Sequence, residues 1–562
     1  MNEIEFNLID EPWIRVMDSD CKVSEVSLKD ALLNAHKYKS LSGELPTQDI
    51  AVMRLLLAVL HTVYSRADEN GNNSPLDEGI DSDDEDDYES FLKEKALDRW
   101  KALWERGSFS EKAIGDYLDK WHERFWLFHP ERPFYQITKD KMMELITKQE
   151  KLLLSKFNGE ISKGGNKANF FSSYSGGAMN RMSYAQAARW LVFTHSFDDT
   201  AFKPQGKDKN GEKLPSAKVG WLGQLGLIYI VGANLFETLL LNLVVINRDN
   251  IENNQMPIWE MESVRFDERV KIPFPNNLAE LYTLQSRRIH LFRENGDITH
   301  FHVLAGDLIS EERAFKEPMT VWKQKKDTYV PQNHDYAQQM WREFSVLYQT
   351  KELENSKDKN QMAGIIKWYL KYLLPYFSMK NKRHMIETAI VGLEYDTSAS
   401  HKFLNYFYDS LTMHADLLSD LGADWRSKIE TELDRCGKIA NAIAFLAQNL
   451  YVASGGSNSK KDKHFSEIPS VVKSQLYYRL DVPFRKWLRS IKPDIKDEKL
   501  KDEKQSEWQN IARRIAENYA NELMSETYES AIVGHVEEGK LYSSPRAILI
   551  FRKQLNKIYG KV

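Results

Sequence analysis

Residue types that suit ligand binding are first concentrated in residues 163–177. This stretch reads KGGNKANFFSSYSGG. Its glycines allow the backbone to approach a ligand closely. Its lysines carry charge that binds phosphate, and its aromatic rings offer flat surfaces on which bases stack. The stretch has no hydrophobic period that would bury it in a helix or a strand. This combination favours contact with nucleic acid.

A second stretch, from residue 203 to residue 221, repeats the combination and reads KPQGKDKNGEKLPSAKVGW. Between the two stretches, residues 182–196 predict one amphipathic helix. Stretches rich in turn residues are also typical of ordinary surface loops. Composition alone therefore leaves two interpretations open: a nucleic-acid contact and a pair of solvated loops.

Motifs of the common catalytic mechanisms are absent from the sequence. It contains no GxxxxGK[ST] phosphate loop, no HExxH, no GxSxG and no CxxC motif. Its two cysteines, Cys21 and Cys436, are too few for a thiolate zinc site or a disulfide framework. The pair His334-Asp335 also occurs in metal-dependent phosphohydrolases, so a metal-dependent nuclease or phosphohydrolase is the enzymatic alternative. We expect a protein that is not an enzyme and has no catalytic residues, metal site or cofactor.

The composition limits how this protein can meet nucleic acid. With 562 residues, of which 42% are hydrophobic, the chain can bury large cores. Its net charge of -5 means that any contact with nucleic acid must come from local basic patches. The N-terminus lacks the charged-then-apolar pattern of a signal peptide, and the apolar runs are too short or too interrupted to span a bilayer. We therefore expect a cytoplasmic protein that makes no membrane contact.

The elements that must position these stretches differ between the two ends of the chain. Short strands and helices alternate up to about residue 410, whereas helices alone are predicted after residue 424. In the first of those helices one apolar stripe recurs every three or four residues, formed by Ile429, Leu433, Cys436, Ile439, Ile443, Leu446 and Leu450. Three more helices with stripes of their own follow, and four such helices bury one another as a bundle. The sequence predicts an α+β protein, with a large mixed α/β domain over residues 1–410 and an all-α four-helix bundle over residues 411–562.

Three histidines flank a predicted hairpin turn at Asn295-Gly296, a dipeptide typical of two-residue turns. A regular register from this turn pairs His290 with Phe301, and His290 then faces away from His300 and His302. The predicted register therefore argues against a metal site on this hairpin.

Several segments of the chain, taken in order, resemble the CasA family, the large subunits of the type I-E CRISPR surveillance complex Cascade. They run through roughly the first three hundred residues. The sequence segments are FNLIDEPWIRV at 6–16, LSGELP at 41–46, FWLFHPERPFYQ at 125–136, AARW at 187–190, GWLGQLG at 220–226, ETLLLNL at 237–243 and LYTLQSRR at 281–288.

The resemblance implies a non-catalytic subunit that sits near the 5′ end of the CRISPR RNA and checks the protospacer-adjacent motif (PAM) on target double-stranded DNA. It also implies help in opening the strands and a docking surface for the CRISPR helicase-nuclease. The implied neighbours are the other Cascade subunits, CasB, CasC, CasD and CasE. A purely structural subunit, which binds protein and RNA but no DNA, remains a further alternative.

The resemblance also implies roles for particular residues. The loop that anchors the subunit near the RNA end and the PAM corresponds to 163–177, with Lys163, Lys167, Asn169, Phe170 and Phe171. A glycine loop that meets the minor groove falls within 207–223, with Lys207, Lys209, Lys218 and Gly220. The basic residue that reaches the groove is Arg313, with Lys316 as the competing candidate. The wedge between the strands is Thr397, Ser398 and Ala399, and some family members carry glutamine where this chain has Ser398.

Overall fold

The computed structural model of the chain describes residues 4–78, 84–146, 151–160, 176–200, 211–213, 216–247, 250–251, 254–261, 271–272, 275–309, 316–336, 338–348, 361–380, 385–396, 403–537 and 539–560. The chain divides into two compact units. The first comprises Met1–Ala337, Gln349–Pro375 and Glu387–Ser410, and the second comprises Gln338–Tyr348, Tyr376–Ile386 and Leu411–Val562.

The first unit begins with short strands around two long helices. In chain order its elements are β1 (Glu5–Asn7), β2 (Ile14–Asp18), β3 (Val23–Val26), α1 (Leu28–Leu33), β4 (Tyr38–Leu41), α2 (Pro46–Arg66), α3 (Glu85–Arg106), α4 (Glu111–Lys120), β5 (Trp126–Phe128), α5 (Lys139–Leu145), β6 (Leu152–Leu153) and α6 (Tyr184–Phe197).

The middle of the chain contributes mainly strands. They and their helices are β7 (Leu227–Val231), α7 (Leu235–Leu241), β8 (Ile246–Asn247), β9 (Asn250–Ile251), β10 (Lys271–Ile272), α8 (Leu278–Tyr282), β11 (Arg287–Glu294), β12 (Asp297–Ala305), β13 (Leu308–Ile309), β14 (Trp322–Lys325), β15 (Thr328–Pro331), α9 (Gly364–Trp368), α10 (Leu374–Met379), β16 (Met385–Tyr395) and β17 (Phe403–His414).

The sheets are small and mostly antiparallel. Three have three strands each, in the orders β3-β2-β4, β11-β12-β6 and β17-β16-β7. The pairs β1–β5, β8–β9 and β14–β15 are antiparallel, and β10–β13 is parallel. Small sheets interleaved with helices confirm the predicted α+β class.

Helix α2 is the central helix of the first unit. Pro46 occupies its first turn, where the missing backbone N–H costs no hydrogen bond. The sequence of this segment is apolar on nearly all sides, which predicts a buried helix, and 18 of its 21 residues are buried. Its burial leaves one basic side chain, Arg54, in the core at 2% exposure.

Local capping chemistry sets the starts of several helices. The hydroxyl of Ser27 accepts a hydrogen bond from the backbone N–H of Asp30 at 3.1 Å and begins α1. Ser183 and Gln186 form a reciprocal capping box at the start of α6. Helix α6 is the amphipathic helix that was predicted over residues 182–196.

Other predicted boundaries were wrong. The hydrophobic pattern predicts a helix over 114–128, but the helix ends at Lys120, and Trp126–Phe128 forms strand β5 paired with β1. The same pattern predicts a strand over 280–292, but the strand starts at Arg287, because residues 278–282 form a capped helix with Asn277 as its N-cap. In both cases long-range pairing or a cap overrides the local hydrophobic pattern.

The hairpin β11–β12 forms at the predicted turn, but the predicted register was wrong. Asn295 and Gly296 both have positive φ, as a two-residue turn requires. A shift between Phe292 and Arg293 moves the pairing by one residue, so His290 lies opposite His302. His290 and His302 therefore share a face of the hairpin. The centroid of the Phe292 ring lies 4.8 Å from that of His290 and 4.9 Å from that of His302.

The paired histidines do not form a metal site within the described part of the chain, where no group of three or more His, Cys, Asp or Glu residues is arranged to hold an ion. Nδ1 of His290 donates a hydrogen bond to the carbonyl of Ile137 at 3.0 Å. Burial lowers the pKa of His290 to about 4.

The second unit contains four long helices, α11 (Ala423–Ala453), α12 (Lys463–Ser490), α13 (Glu498–Ser525) and, after the short α14 (Ser530–Val533) and the hairpin β18 (His535–Glu537) and β19 (Lys540–Tyr542), α15 (Ser544–Tyr559). The long helices pack on one another as a four-helix bundle. The predicted stripe of α11 is buried except for Leu433, which is partly exposed. The charged composition of residues 492–504 predicts a connection, but helix α13 already starts within this stretch, at Glu498. Across the helices that the structure describes, none combines the length and apolar character needed to cross a bilayer.

Candidate nucleic-acid interface

Most residues that the sequence singled out lie outside the described residues. These are Lys163, Lys167, Asn169, Phe170 and Phe171 of the anchor loop, Lys207 and Lys209 of the glycine loop, Arg313, and the wedge residues Thr397, Ser398 and Ala399. The structure describes Lys218, Gly220 and Lys316, together with the residues at which each segment begins and ends. Those residues, here called the roots of the segments, carry the geometry of the candidate interface.

Arg287 holds the two roots of segment 201–210 together. It is 1% exposed, and its Nε donates to Oδ2 of Asp198 at 2.6 Å. One terminal nitrogen donates to the carbonyls of Asp198, Asp199 and Lys218 at 2.8–2.9 Å. Because Asp198 and Asp199 precede the segment and Lys218 follows it, one guanidinium group closes the base of the loop.

Gly220 is buried at the same base. Its backbone N–H donates to the carbonyl of Asp198 at 2.9 Å. A Cβ at this position would lie 2.4 Å from the carbonyl oxygen of Ser196, which belongs to the last turn of α6. Only glycine fits there. The DNA contact predicted for Gly220 stays a prediction. The side chain of Lys218, two residues earlier, is exposed, and its predicted DNA contact also stays a prediction.

Glu317 connects segment 310–315 to this base. Its carboxylate is fully buried and accepts two hydrogen bonds from Arg54 of α2, each of 2.8 Å. The indole N–H of Trp221, the residue after Gly220, donates to the same carboxylate at 3.3 Å. The neighbouring Lys316 is partly exposed, and its carbonyl accepts a hydrogen bond from Asn247 at 2.7 Å. The buried ion pair thus places Lys316 beside the glycine-loop root.

Tyr395 brings the root of the predicted wedge to the same place. It is the last residue of β16, shortly before residues 397–402. Its hydroxyl donates to the carbonyl of Phe197 at the end of α6. Gly223 lies against its ring, since a Cβ there would be 2.3 Å from the Tyr395 oxygen. Burial raises the pKa of Tyr395 well above its ordinary value, so the hydroxyl remains a hydrogen-bond donor at neutral pH.

The structure therefore brings the roots of three predicted DNA-contacting segments together at the C-terminal end of α6. The fourth, the anchor loop, leads into the N-terminal end of the same helix. Helix α6 has 14 residues, so its two ends are roughly 20 Å apart. Sequence reasoning missed the side chains that make this arrangement, Arg54, Arg287, Glu317 and Tyr395. Arg54 had a detectable signal, since it is the single charged residue in the apolar part of α2.

The root of the anchor loop packs against α6. A Cβ on Gly159 would lie 2.6 Å from the ring of Trp190. Nearby, Arg189 is 2% exposed and binds both carboxylate oxygens of Glu44, at 2.6 to 3.1 Å. Arg189 also donates to the carbonyl of Trp13 at 2.6 Å. Three of the sequence segments that carry the family resemblance thus meet at one guanidinium group.

Asp49 beside this cluster makes the stability of the protein pH-dependent. Burial raises the pKa of Asp49 to about 7, and Glu44 adds to the rise against the lowering effects of the Gly43 N–H, Arg15 and Arg189. A raised carboxyl pKa stabilises the folded state at low pH, and this contribution is lost as pH rises through the folded-state value. We expect Asp49→Asn to equal the unchanged protein in stability near pH 4 and to exceed it by roughly 1 kcal/mol for each pH unit between 5 and 7. Chemical unfolding at these pH values checks this, and a difference that does not vary with pH would contradict it.

The hairpin β14–β15 adds a basic surface at the glycine-loop base. Lys323 and Lys325 alternate along β14 and so share one face, and Lys326 follows at the turn. All three side chains are exposed and form no ion pair within the described residues. The hairpin returns to the base, since a Cβ on Gly226 would lie 2.3 Å from the carbonyl of Gln332.

The enzymatic alternative rested on His334-Asp335. His334 is 5% exposed, and its backbone N lies near Gly226, at 3.1 Å from the position of a Cβ there. No group of potential ligands around it reaches three among the residues that the structure describes. The surroundings of His334 in the described residues therefore do not favour the metal-dependent hydrolase alternative.

Comparisons with known proteins point in one direction. A family model described as CRISPR-associated protein Cse1 matches residues 7–519. A protein of Thermus thermophilus, described as CRISPR-associated protein CasA/Cse1, is 31% identical over 348 residues. That alignment covers 61% of this chain and 60% of the relative, so it spans less than two thirds of the relative's length.

Solved structures of the same description are similar over nearly the full chain. Cse1 of Thermobifida fusca has a TM-score of 0.77 and 26% identity, and the match covers 99% of this chain and 98% of that one. CasA (Cse1) of Thermus thermophilus has a TM-score of 0.69 at 22% identity, over all of both chains. A chain of a structure titled CRISPR RNA-guided surveillance complex has a TM-score of 0.64 at 14% identity, over 99% of each chain. The last two likenesses show the fold alone.

Proposed function

This chain belongs to the CRISPR-associated Cse1 family, also called CasA, and we propose that it is the large, non-catalytic subunit of a type I-E CRISPR surveillance complex. In that role it reads the PAM on target duplex DNA, helps to separate the strands, and offers a docking surface to the helicase-nuclease. Its partners are the CRISPR RNA near its 5′ end and the other Cascade subunits.

The observation that carries the proposal is the meeting of three segment roots at the end of α6. A PAM spans only a few base pairs, at 3.4 Å per base pair along the helix axis. Segments that read such a short flank must begin close together. Arg287, Glu317 and Tyr395 join the roots by hydrogen bonds of 2.5–3.3 Å, and these contacts fix the starting points of the segments before DNA binds.

The composition of the segments themselves, rich in glycine and lysine, suits a minor-groove reader. The minor groove presents a degenerate pattern that distinguishes mainly A·T from G·C pairs. Glycine backbone together with one or two long cations suits that pattern better than a set of specific base contacts. Guide pairing then checks the sequence of the target, and the protein need read only the short flank. We therefore expect tolerance of several PAM sequences.

The experiment that tests the proposal compares complexes reconstituted with and without this chain. We expect binding to an intact duplex to require both the chain and the PAM. With the chain present, a target already opened beside the PAM should bind without the cost of strand separation. Equal binding of targets with and without a PAM would reduce the chain to a purely structural subunit.

The basic face of β14 gives this role a further prediction. If Lys323 and Lys325 bind DNA phosphates, replacing both by alanine should weaken binding of any duplex and lower the steepness of its salt dependence by about 0.9 for each phosphate that is no longer neutralised. Affinity measured from low to high salt checks this. The charge-conserving variant with two arginines should behave as the unchanged protein does. An unaltered salt slope in the alanine variant would exclude the hairpin from DNA.

A further inference from the structure

The second unit contains a cleft that the proposed function does not use. It encloses about 410 Å³ between α11, the hairpin β18–β19 and the start of α15, within the range of ordinary ligand-binding clefts. Val452, Ala547 and Ile550 give it apolar surface, and Phe445 and Tyr542 add aromatic rings. A cleft of this shape and lining can bury a large apolar side chain.

Among the residues that the structure describes, the charged side chains that line the cleft are both basic, Lys540 and Arg546. Both cations are exposed and take part in no ion pair among the described residues. Glu537 lies opposite Lys540 on the hairpin, but its carboxylate accepts hydrogen bonds from the backbone N–H of Asn458 at 2.7 and 2.9 Å. The described residues that line the cleft therefore carry a net positive charge, while Glu537 keeps its negative charge beside Asn458.

Helix α15 extends this positive charge beyond the cleft. Its charged residues are Arg546, Arg552, Lys553 and Lys557, and the helix contains no acidic residue. Several cations on the other long helices of the bundle have acidic partners, as in the pairs Lys428–Asp502, Arg479–Glu522 and Arg513–Glu517. The surface of α15 is thus the part of the described bundle whose charge is most one-sided.

Exposed apolar side chains lie on the same elements that form the cleft. Val536 and Leu541 form a cross-strand pair on the hairpin, and they are 62% and 45% exposed. Leu549 of α15 and Phe445 of α11 are exposed at 56% and 45%. A two-stranded hairpin has little stability of its own, and a group of exposed apolar side chains is typical of a protein-binding surface.

We propose that this cleft binds a segment of a partner protein that carries carboxylates together with at least one large apolar side chain. The carboxylates pair with Lys540 and Arg546, and the apolar side chain enters the cleft against Phe445 and Leu541. Nucleic acid is the less favourable occupant, because phosphates gain nothing from Val536, Leu541 and Leu549. A protein segment satisfies both the charge and the aliphatic surface.

The test uses the RNA-guided surveillance complex of the proposed function, and the inference rests on that proposed function. The full chain is titrated into the RNA-loaded complex of the other subunits. We expect Lys540→Glu with Arg546→Glu to weaken its binding at least tenfold. The matched control is Lys486→Glu with Arg489→Glu, two exposed cations on α12. Phe465, which lines the cleft, lies about 30 Å along that helix from them. The control should change binding less than twofold.

A second measurement identifies the class of the occupant. Leu541→p-benzoyl-L-phenylalanine in the assembled complex, after irradiation, should give an adduct that protease removes and nuclease leaves intact. A nuclease-sensitive adduct would overturn the inference in favour of nucleic acid. If the unchanged chain binds the complex and the Lys540/Arg546 variant binds equally well, the inference fails alone. If the unchanged chain does not bind the complex at all, the proposed function fails with it.

Discussion

Replacing Glu317 by alanine is expected to destabilise the first unit by about 3–5 kcal/mol, because the change leaves the guanidinium of Arg54 buried without its counter-charge. The two side chains are 0% and 2% exposed, and Arg54 donates to both carboxylate oxygens at 2.8 Å. The same carboxylate also accepts from Trp221 and from the backbone N–H of Met319. Chemical unfolding followed by tryptophan fluorescence measures the loss.

The matched control for this prediction is an exposed ion pair of the same unit, Lys141–Glu144, whose side chains are 52% and 62% exposed. Glu144→Ala should cost less than about 1 kcal/mol. Arg54→Met combined with Glu317→Leu should recover part of the stability that each single alanine change loses, since no buried charge is then left alone. Losses that simply add would show that the pair is not coupled.

The functional consequence follows from the position of Glu317. This carboxylate accepts a hydrogen bond from Trp221 and so holds the neighbouring Lys316, the root of segment 310–315, near the glycine-loop root. At a temperature where the variant remains folded, we expect Glu317→Ala to reduce PAM-dependent binding of the reconstituted complex. Binding to a target without a PAM should change little. An equal reduction on both targets would mean that the segment does not act at the PAM.

Arg287→Met is expected to separate the two roots of the glycine loop while keeping most of the buried volume. Arg287 donates five hydrogen bonds, to Asp198, Asp199, Ser286 and Lys218. Methionine makes none of them, and Asp198 loses its buried charge partner, which together costs about 3–5 kcal/mol. Because the loop base is then no longer closed, the affinity of the complex for PAM-containing duplex should fall by tenfold or more, measured by a binding titration.

Arg293→Met on the same strand is the matched control for Arg287. Arg293 pairs with Glu5, whose carboxylate is 46% exposed. Its replacement should cost less than about 1 kcal/mol and leave DNA binding unchanged. If Arg287→Met and Arg293→Met reduce PAM-dependent binding equally, closure of the loop base by Arg287 is not what PAM reading depends on. If Arg287→Met leaves it unchanged, the roots need not be joined for the PAM to be read.

The sequence by itself determined the features that depend on near neighbours in the chain. The cap at Ser27, the helix before residue 197 and the turn at Asn295-Gly296 follow from local hydrogen bonding and backbone preference. The stripe of α11 follows from helical periodicity, and burial of such stripes against one another produces the bundle. The ordered segments also indicated the family, which the match over residues 7–519 confirms.

The tertiary structure alone decided the features that depend on residues far apart. The register of His290 turned on a one-residue shift between Phe292 and Arg293, which the local pattern does not reveal. Arg54 meets Glu317 across 263 residues, and Arg287 meets Asp198 across 89. Nothing near Arg287 in the sequence indicates that it closes a loop, since a lone arginine on a strand is as compatible with a solvent-facing position. These partners are chosen by the burial of charges that only the packed chain brings together, because a charge in the core is stable only beside its opposite.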